Sequence, residues 1–236
     1  MTEIIPVSII IPTYNRVQKL FKLLKSIKSL TPLPNEVIVI DDNSTDGTKE
    51  ILKKWKAVSS EYNKRILLKE KNKGPADSRN RGIEISINEL IAFTDDDAIV
   101  DKYWLKYITS KLHNCHKMLV GVGGSVKSIK GDILSQYYVE HRILEAPKSL
   151  NYLPTVNCCL KKNALLEIGG FSTSFSFAGG EDTDICLRLR RKGYYFLKER
   201  KAVVYHDFSS NFLDFCKMWI RYGKGTQMAI SNIQRM

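Results

Sequence analysis

The sequence predicts an α/β chain with a mostly parallel central sheet flanked by helices and an irregular second half. Two observations carry that expectation. Through the first hundred residues, short and nearly continuous apolar runs alternate with amphipathic helical stretches, the pattern of strands covered on both faces. Three of those runs also end in polar or acidic residues, Thr13-Tyr14, Asp41-Asp42 and Asp95-Asp96-Asp97. In open parallel sheets, ligands bind at the carboxyl ends of the strands, so these ends mark a candidate site.

The elements follow in order. Val7 to Ile11 reads as a buried strand stopped by Pro12. Leu20, Leu23, Leu24, Ile27 and Leu30 recur at helical spacing among lysines. Glu36 to Ile40 is a second strand, after which Ser44 and Thr45 are placed to cap a helix through Ile51, Leu52 and Trp55. Arg65 to Leu68 is a third strand, Ala76 to Ile87 a helix, and Ile91 to Phe93 the strand that runs into the three acids. Beyond it, Met118 to Val126, Val156 to Leu160 and Ala202 to Tyr205 read as strands. Ile133 to Leu144 is a helix or long loop, and Phe171 to Gly180 a Ser-, Phe- and Gly-rich loop. Glu181 to Lys192 is a strong helix. The tail from Phe212 is amphipathic, with Gly223 and Gly225 expected to weaken it midway. The division expected is one α/β domain over 1–210 and a helical tail over 211–236.

Composition narrows the function. The net charge is +12, from 37 Lys and Arg against 25 acids, which asks for an acidic partner: nucleotide phosphates, nucleic acid or an anionic membrane. No nucleic-acid module or basic stripe interleaved with aromatics is present, which argues against nucleic acid. No apolar run approaches the roughly 20 residues of a membrane span, and no secretory signal is legible. Five cysteines without zinc-ligand spacing read as reduced thiols of a cytoplasmic protein. Three adjacent carboxylates repel one another, and taking them out of water costs several kcal/mol per ion, on the order of the Born penalty after relaxation, unless compensated. A divalent cation, Mn²⁺ or Mg²⁺, is the usual compensator; a solvated acidic loop is the plain alternative.

Ser8 to Arg16, Val37 to Thr48, Gly74 to Gly82, Phe93 to Asp97, Ile168 to Phe171 and Gly180 to Leu189, in that order, resemble the motifs of family 2 glycosyltransferases with the GT-A type fold. The resemblance covers about residues 7 to 206. It implies a Rossmann-like sheet whose second half faces the acceptor. It also implies inverting transfer of a sugar from a nucleotide-diphospho-sugar to an acceptor hydroxyl, in polysaccharide, glycolipid or other surface-glycan synthesis. Pro12, Thr13, Tyr14, Arg16, Asp42, Arg79, Asp95 and Asp96 would then bind the donor nucleotide. Tyr14 would stack on the base and Asp42, with Asp41 as the alternative, would accept a base N–H. A uracil N3–H suits that bond, which favours a UDP-sugar. Asp95 and Asp97 would hold the metal, with His206 as a further ligand, and Asp96 would point the other way on the extended backbone and matter least. By family position, Asp182 would be the general base; Asn157 and Glu181 would touch sugar or acceptor. The acceptor would be a glycan or lipid-linked; the basic tail would suit peripheral contact with the cytoplasmic face of a membrane, or be an ordinary helix packing on the domain, the reading its two glycines favour.

Rival readings are weaker. Gly121-Val122-Gly123-Gly124 lacks the third glycine of a dinucleotide-binding turn. A nucleotidyltransferase would carry a glycine-rich basic loop where Pro12 to Arg16 stands. An inactive relative that only binds a nucleotide sugar is opposed by the intact Asp95, Asp97 and Asp182.

Overall fold

The computed structural model describes residues 3–175 and 177–234. The chain runs β1 (Ile4–Thr13), α1 (Val17–Lys28), β2 (Leu33–Asp41), α2 (Thr48–Ala57), β3 (Asn63–Leu68), α3 (Pro75–Ile85), β4 (Leu90–Phe93), β5 (Ala98–Val100), α4 (Trp104–Ser110), β6 (Leu119–Ser128) and α5 (Ile133–Glu140). A 3₁₀ turn (Thr155–Asn157) precedes β7 (Cys158–Lys161). Then come α6 (Lys162–Glu167), α7 (Glu181–Arg191), β8 (Tyr195–His206) and α8 (Phe212–Gln234). Among the described residues the strands form one sheet in the order β3-β2-β1-β4-β7-β6-β8-β5. The first four are mutually parallel; β7 is antiparallel to both neighbours, β6 and β8 are parallel, and β5 returns antiparallel.

Both faces of the sheet are covered, as the continuous apolar runs require. Ile9, Ile11, Val37 and Val39 join one buried cluster, while Ile10, Ile38 and Ile40 join the other, the two-residue alternation of a strand. Gly82 lets α3 lie directly on β1: a Cβ there would meet Ile10 Cγ2 at 2.6 Å.

Several expectations need correction. β1 does not stop at Pro12 but continues to Thr13, paired with β2 through Asp41. Alternate residues of a strand face alternate neighbours, so the donor that Pro12 lacks falls on the β4 side, where pairing has already ended at Ile10 and Phe93. Ser44 and Thr45 do not cap α2. Gly47 occupies that position in a left-handed conformation, and Asp46 accepts from Thr48 N and Oγ1. β5 and α4, unread from the sequence, occupy 98–110. β8 starts at Tyr195 rather than Ala202, because its register against β6 shifts between Gly123/Lys198 and Ser125/Val203 and the charged run 198–201 hides the strand. Finally, α8 is continuous through Gly223 and Gly225. Residues 1, 2, 235 and 236 of the expected domain division, and residue 176 of the expected loop, lie outside the described residues.

Candidate active site

At the carboxyl ends of β1, β2 and β4 the chain turns sharply, and asparagine makes two of the turns. Asn15 and Asn43 adopt positive φ, 51° and 68°, a conformation asparagine tolerates better than most side chains. Asn15 Oδ1 accepts from Thr45 N at 2.7 Å and Asn15 N donates to Ser44 Oγ at 2.9 Å, which laces the two turns together. Between them and α3 lies a pocket of about 330 Å³. All eight residues expected at the donor nucleotide line it: Pro12, Thr13, Tyr14, Arg16, Asp42, Arg79, Asp95 and Asp96. Tyr14 is exposed at its mouth. Asp42 is buried, accepting from Lys73 N at 3.0 Å and Gly74 N at 2.8 Å and pairing with Lys69 at 2.5 Å. Asp41 instead turns back to accept from Ser44 N, so the alternative assignment to Asp41 loses its geometry.

The three acids face three different partners. Asp95 Oδ1 accepts from Arg79 at 2.9 Å. Asp96 accepts from Thr13 Oγ1 at 2.7 Å and Arg16 at 3.0 Å. It therefore does not point away on the extended backbone: it is buried, lines the same pocket as Thr13 and Arg16, and is tied to β1. Asp97 pairs with Arg16 at 2.7 Å, with Lys19 further off at 3.9 Å. The β5–β8 pairing sets Ala98 opposite His206, and Asp207 N donates to Asp97 O at 2.9 Å, so the last strand delivers His206 to the acids. His206 Nε2 stands 3.1 Å from Asp97 Oδ1.

Electrostatics separates the acids. Burial drives Asp96 up, and the charge of Asp97 adds to it, against Arg16 and Thr13. Burial would raise Asp97 too, but His206 and then Arg16 outweigh it and hold Asp97 well below the usual carboxylate range. The same contact holds His206 above its ordinary value despite burial.

A cation fits here. Asp95, Asp97 and His206 each offer a ligand atom within 4.8 Å of the others, and two carboxylates with an imidazole suit Mg²⁺ or Mn²⁺. Asp97 Oδ1 is buried and faces His206 Nε2 at 3.1 Å with no well-aligned hydrogen bond, so these two groups are placed to share an ion.

Arg79 joins this cluster to the next. It is buried, with one guanidinium nitrogen on Asp95 and another 3.0 Å from Glu181 Oε1, and it lies over the Phe171 ring. Glu181 Oε2 accepts from Gly179 N at 2.6 Å. Glu181 is thus bound to Arg79 and to the turn before α7, and it also lines the cavity that Asp182 faces. Asp182 is the freer of the two. Its Oδ2 accepts from Thr155 N at 3.0 Å and Thr155 Oγ1 at 3.3 Å, while Oδ1 is buried without a partner. Burial, then the charge of Glu181, push Asp182 up to about 7.

Asp182 lines a second cavity of about 780 Å³ that meets the first pocket at Arg79, Asp95 and Ala178. Asn157 is not in it. Its Oδ1 accepts from Trp104 Nε1 at 2.8 Å and its Nδ2 donates to Ser125 O and Ala202 O. Every hydrogen bond it readily makes is spent inside the fold, which corrects its expected role at the sugar. Sequence reasoning missed the walls supplied by β8 and α8, among them Arg200, Trp219, Tyr222 and Thr226. The aromatic spacing of the tail was the available signal.

Residues 8–174 match the family model described as Glycosyl transferase family 2. The chain is 29% identical over 232 residues to glycosyltransferase AglE of Haloferax volcanii, covering 95% of this chain and 74% of that one. It is 30% identical over 193 residues to the Escherichia coli UDP-Glc:alpha-D-GlcNAc-diphosphoundecaprenol beta-1,3-glucosyltransferase WfaP, covering 79% and 71%. It spans 46% of the length of other curated relatives. Among solved structures, the mannosyltransferase PcManGT from Pyrobaculum calidifontis, in complex with GDP-Man and Mn²⁺, superposes with a TM-score of 0.78 at 20% identity, over 98% of this chain and 64% of that one. The sheet and its flanking helices thus have the GT-A architecture, a fold that generally works with a divalent cation.

Proposed function

Because this chain belongs to glycosyl transferase family 2, we propose that it moves a sugar, with inversion, from a UDP-sugar to an acceptor hydroxyl, with Asp182 as the general base. The observation that carries this is the junction: the pocket lined by the strand-end residues and the cavity holding Asp182 meet at Arg79, Asp95 and Ala178. A sugar leaving a diphosphate in the first would present its anomeric carbon to a hydroxyl in the second.

The residues divide the work. Tyr14 covers the base, and Asp42 Oδ2, which takes only Gly74 N, keeps a lone pair for uracil N3–H. A divalent ion bound by Asp95, Asp97 and His206 would supply charge neutralisation for the diphosphate as it departs. Arg79 keeps Asp95 oriented while its other nitrogen anchors Glu181. Asp182 Oδ1, the unpartnered oxygen, takes the proton as the acceptor oxygen attacks; Thr155 fixes its other oxygen. A carboxylate pushed up to about 7 is matched to proton abstraction near neutral pH. The electron pair of the breaking glycosidic bond leaves on the diphosphate, and attack from the opposite face inverts the anomeric centre.

The acceptor reading draws on the E. coli relative, whose name states a diphosphoundecaprenol acceptor. Arg142, Lys148 and Arg200 line the cavity without an ion-pair partner among the described residues, which suits an acceptor carrying phosphate. Phe212, Leu213 and Ile220 are exposed on α8 beside Lys217, Arg221 and Lys224, a surface suited to the cytoplasmic face of an anionic membrane. No helix among the described residues is long and apolar enough to cross a membrane.

Thermal stability measured with UDP-, GDP- and dTDP-sugars, with and without Mn²⁺, tests the donor assignment. Ligand at about 100 times its Kd adds roughly 2.7 kcal/mol. A UDP-sugar should raise the melting temperature only with Mn²⁺; no metal-dependent shift with any donor refutes the assignment.

A further inference from the structure

Helix α8 lies outside the span 8–174 matched by the family model, yet it walls the cavity that holds Asp182. Trp219, Tyr222 and Thr226, at helical i, i+3 and i+7 spacing, line that cavity. Glycine fixes how α8 sits. A Cβ on Gly225 would lie 2.0 Å from Gly179 O, and one on Gly180 would lie 2.3 Å from Gly225 O. Backbone therefore touches backbone, which registers α8 against the two residues that precede Glu181 and Asp182. On one side of this contact Tyr222 packs its ring 3.1 Å from where a Gly179 Cβ would be, and Trp219 meets Tyr222 edge-on with centroids 6.4 Å apart. The Tyr222 phenol is neutral, pushed up by burial.

We propose that Trp219 and Tyr222 form the platform for the acceptor and that the acceptor is a pyranoside, so that this chain extends an existing sugar. The proposal rests on the assignment of Asp182 as base. A base there needs a hydroxyl within about 3 Å of Oδ1, and the ligand bearing that hydroxyl must also cover an indole, a phenol ring and the apolar side chains of Leu144 and Leu150. A pyranose meets both demands. Its edge carries hydroxyls and its face carries C–H groups that pack on aromatic rings, while Tyr222 Oη can bond a ring hydroxyl. The reaction that supplies this substrate is then an earlier glycosyl transfer.

The test offers p-nitrophenyl pyranosides of gluco, galacto, manno and N-acetylglucosamine configuration as acceptors. Farnesyl phosphate and a Ser/Thr peptide form the comparison arms. The expected result is transfer to at least one glycoside. Trp219→Ala should raise the acceptor KM about tenfold, Trp219→Phe should restore most of it, and Tyr222→Phe should raise it several-fold, with donor Kd and melting temperature held. Transfer to farnesyl phosphate or peptide alone, or an acceptor KM indifferent to Trp219→Ala, overturns the proposal. Metal-dependent donor binding without transfer to any glycoside overturns it too, while leaving the donor reading intact. Loss of donor binding itself would instead count against the proposed function.

Discussion

The proposed donor pocket and acceptor cavity share Arg79 and Asp95 but are built differently. The first, about 330 Å³, is a lattice of charge: Asp96 and Asp97 share Arg16, Asp42 holds Lys69 and two backbone N–H groups, and Asp95 holds Arg79. The second, about 780 Å³, is mixed: Asp182, whose Oδ1 has no partner, stands among aromatic and aliphatic side chains from the loops and α8 and basic ones such as Arg142, Lys148 and Arg200. A fixed charge lattice suits a ligand part that never changes, the nucleoside diphosphate. A roomy cavity walled by loops and a C-terminal helix is where substrates of one fold diverge. The proposed roles separate recognition from proton transfer, and variants should split along that line.

The largest effect should come from Asp182→Asn. Loss of a positioned base lowers kcat by roughly 10²–10⁴-fold, and donor Kd measured with Mn²⁺ should not follow. A parallel collapse of donor binding would merge the two sites. Arg79→Met should damage both halves at once, because it strands Asp95 and Glu181. Breaking a buried pair costs about 3–5 kcal/mol, read by urea unfolding, and donor affinity should fall with it. Asn157→Ala sharpens the contrast from the other side: it leaves the Trp104 indole N–H and two backbone carbonyls unpaired, at about 1–3 kcal/mol of stability. Calorimetric donor affinity should stay where it was. The smallest effect concerns His206, whose proton competes with metal. Its pKa is raised by Asp97, so Mn²⁺ affinity should fall as pH drops through that raised range. His206→Gln should weaken Mn²⁺ about tenfold and flatten the pH dependence, followed by titration calorimetry.

How far the sequence reveals each half follows from the same construction. The proposed donor pocket draws largely on residues contiguous in sequence at strand ends, so Thr13-Tyr14, Asp41-Asp42 and Asp95-Asp96-Asp97 mark its place, and the strand alternation sets that place on the sheet. What sequence could not show was direction. The turn after β4 sends Asp96 into the pocket, and the turn after β2 sends Asp42, not Asp41. The acceptor cavity is assembled from segments far apart in the chain. Asn157 looks available on the page, but three partners, Trp104, Ser125 and Ala202, are brought to it only by folding. Gly225 reads as a helix breaker until its contact with Gly179 and Gly180 is seen, where any side chain would push α8 off the loop before Asp182.

The role of Asp182 is tested most directly by the pH dependence of kcat/KM for acceptor, at saturating donor and Mn²⁺. Its carboxyl is pushed up to about 7 by burial and Glu181, and only the ionised form accepts a proton. Activity should therefore rise with pH through an inflection near 7, with donor Kd flat over the same interval and the limb absent in Asp182→Asn. A limb that survives in Asp182→Asn, or a profile flat from about pH 5.5 to 8.5 in the unsubstituted protein, would place the base elsewhere.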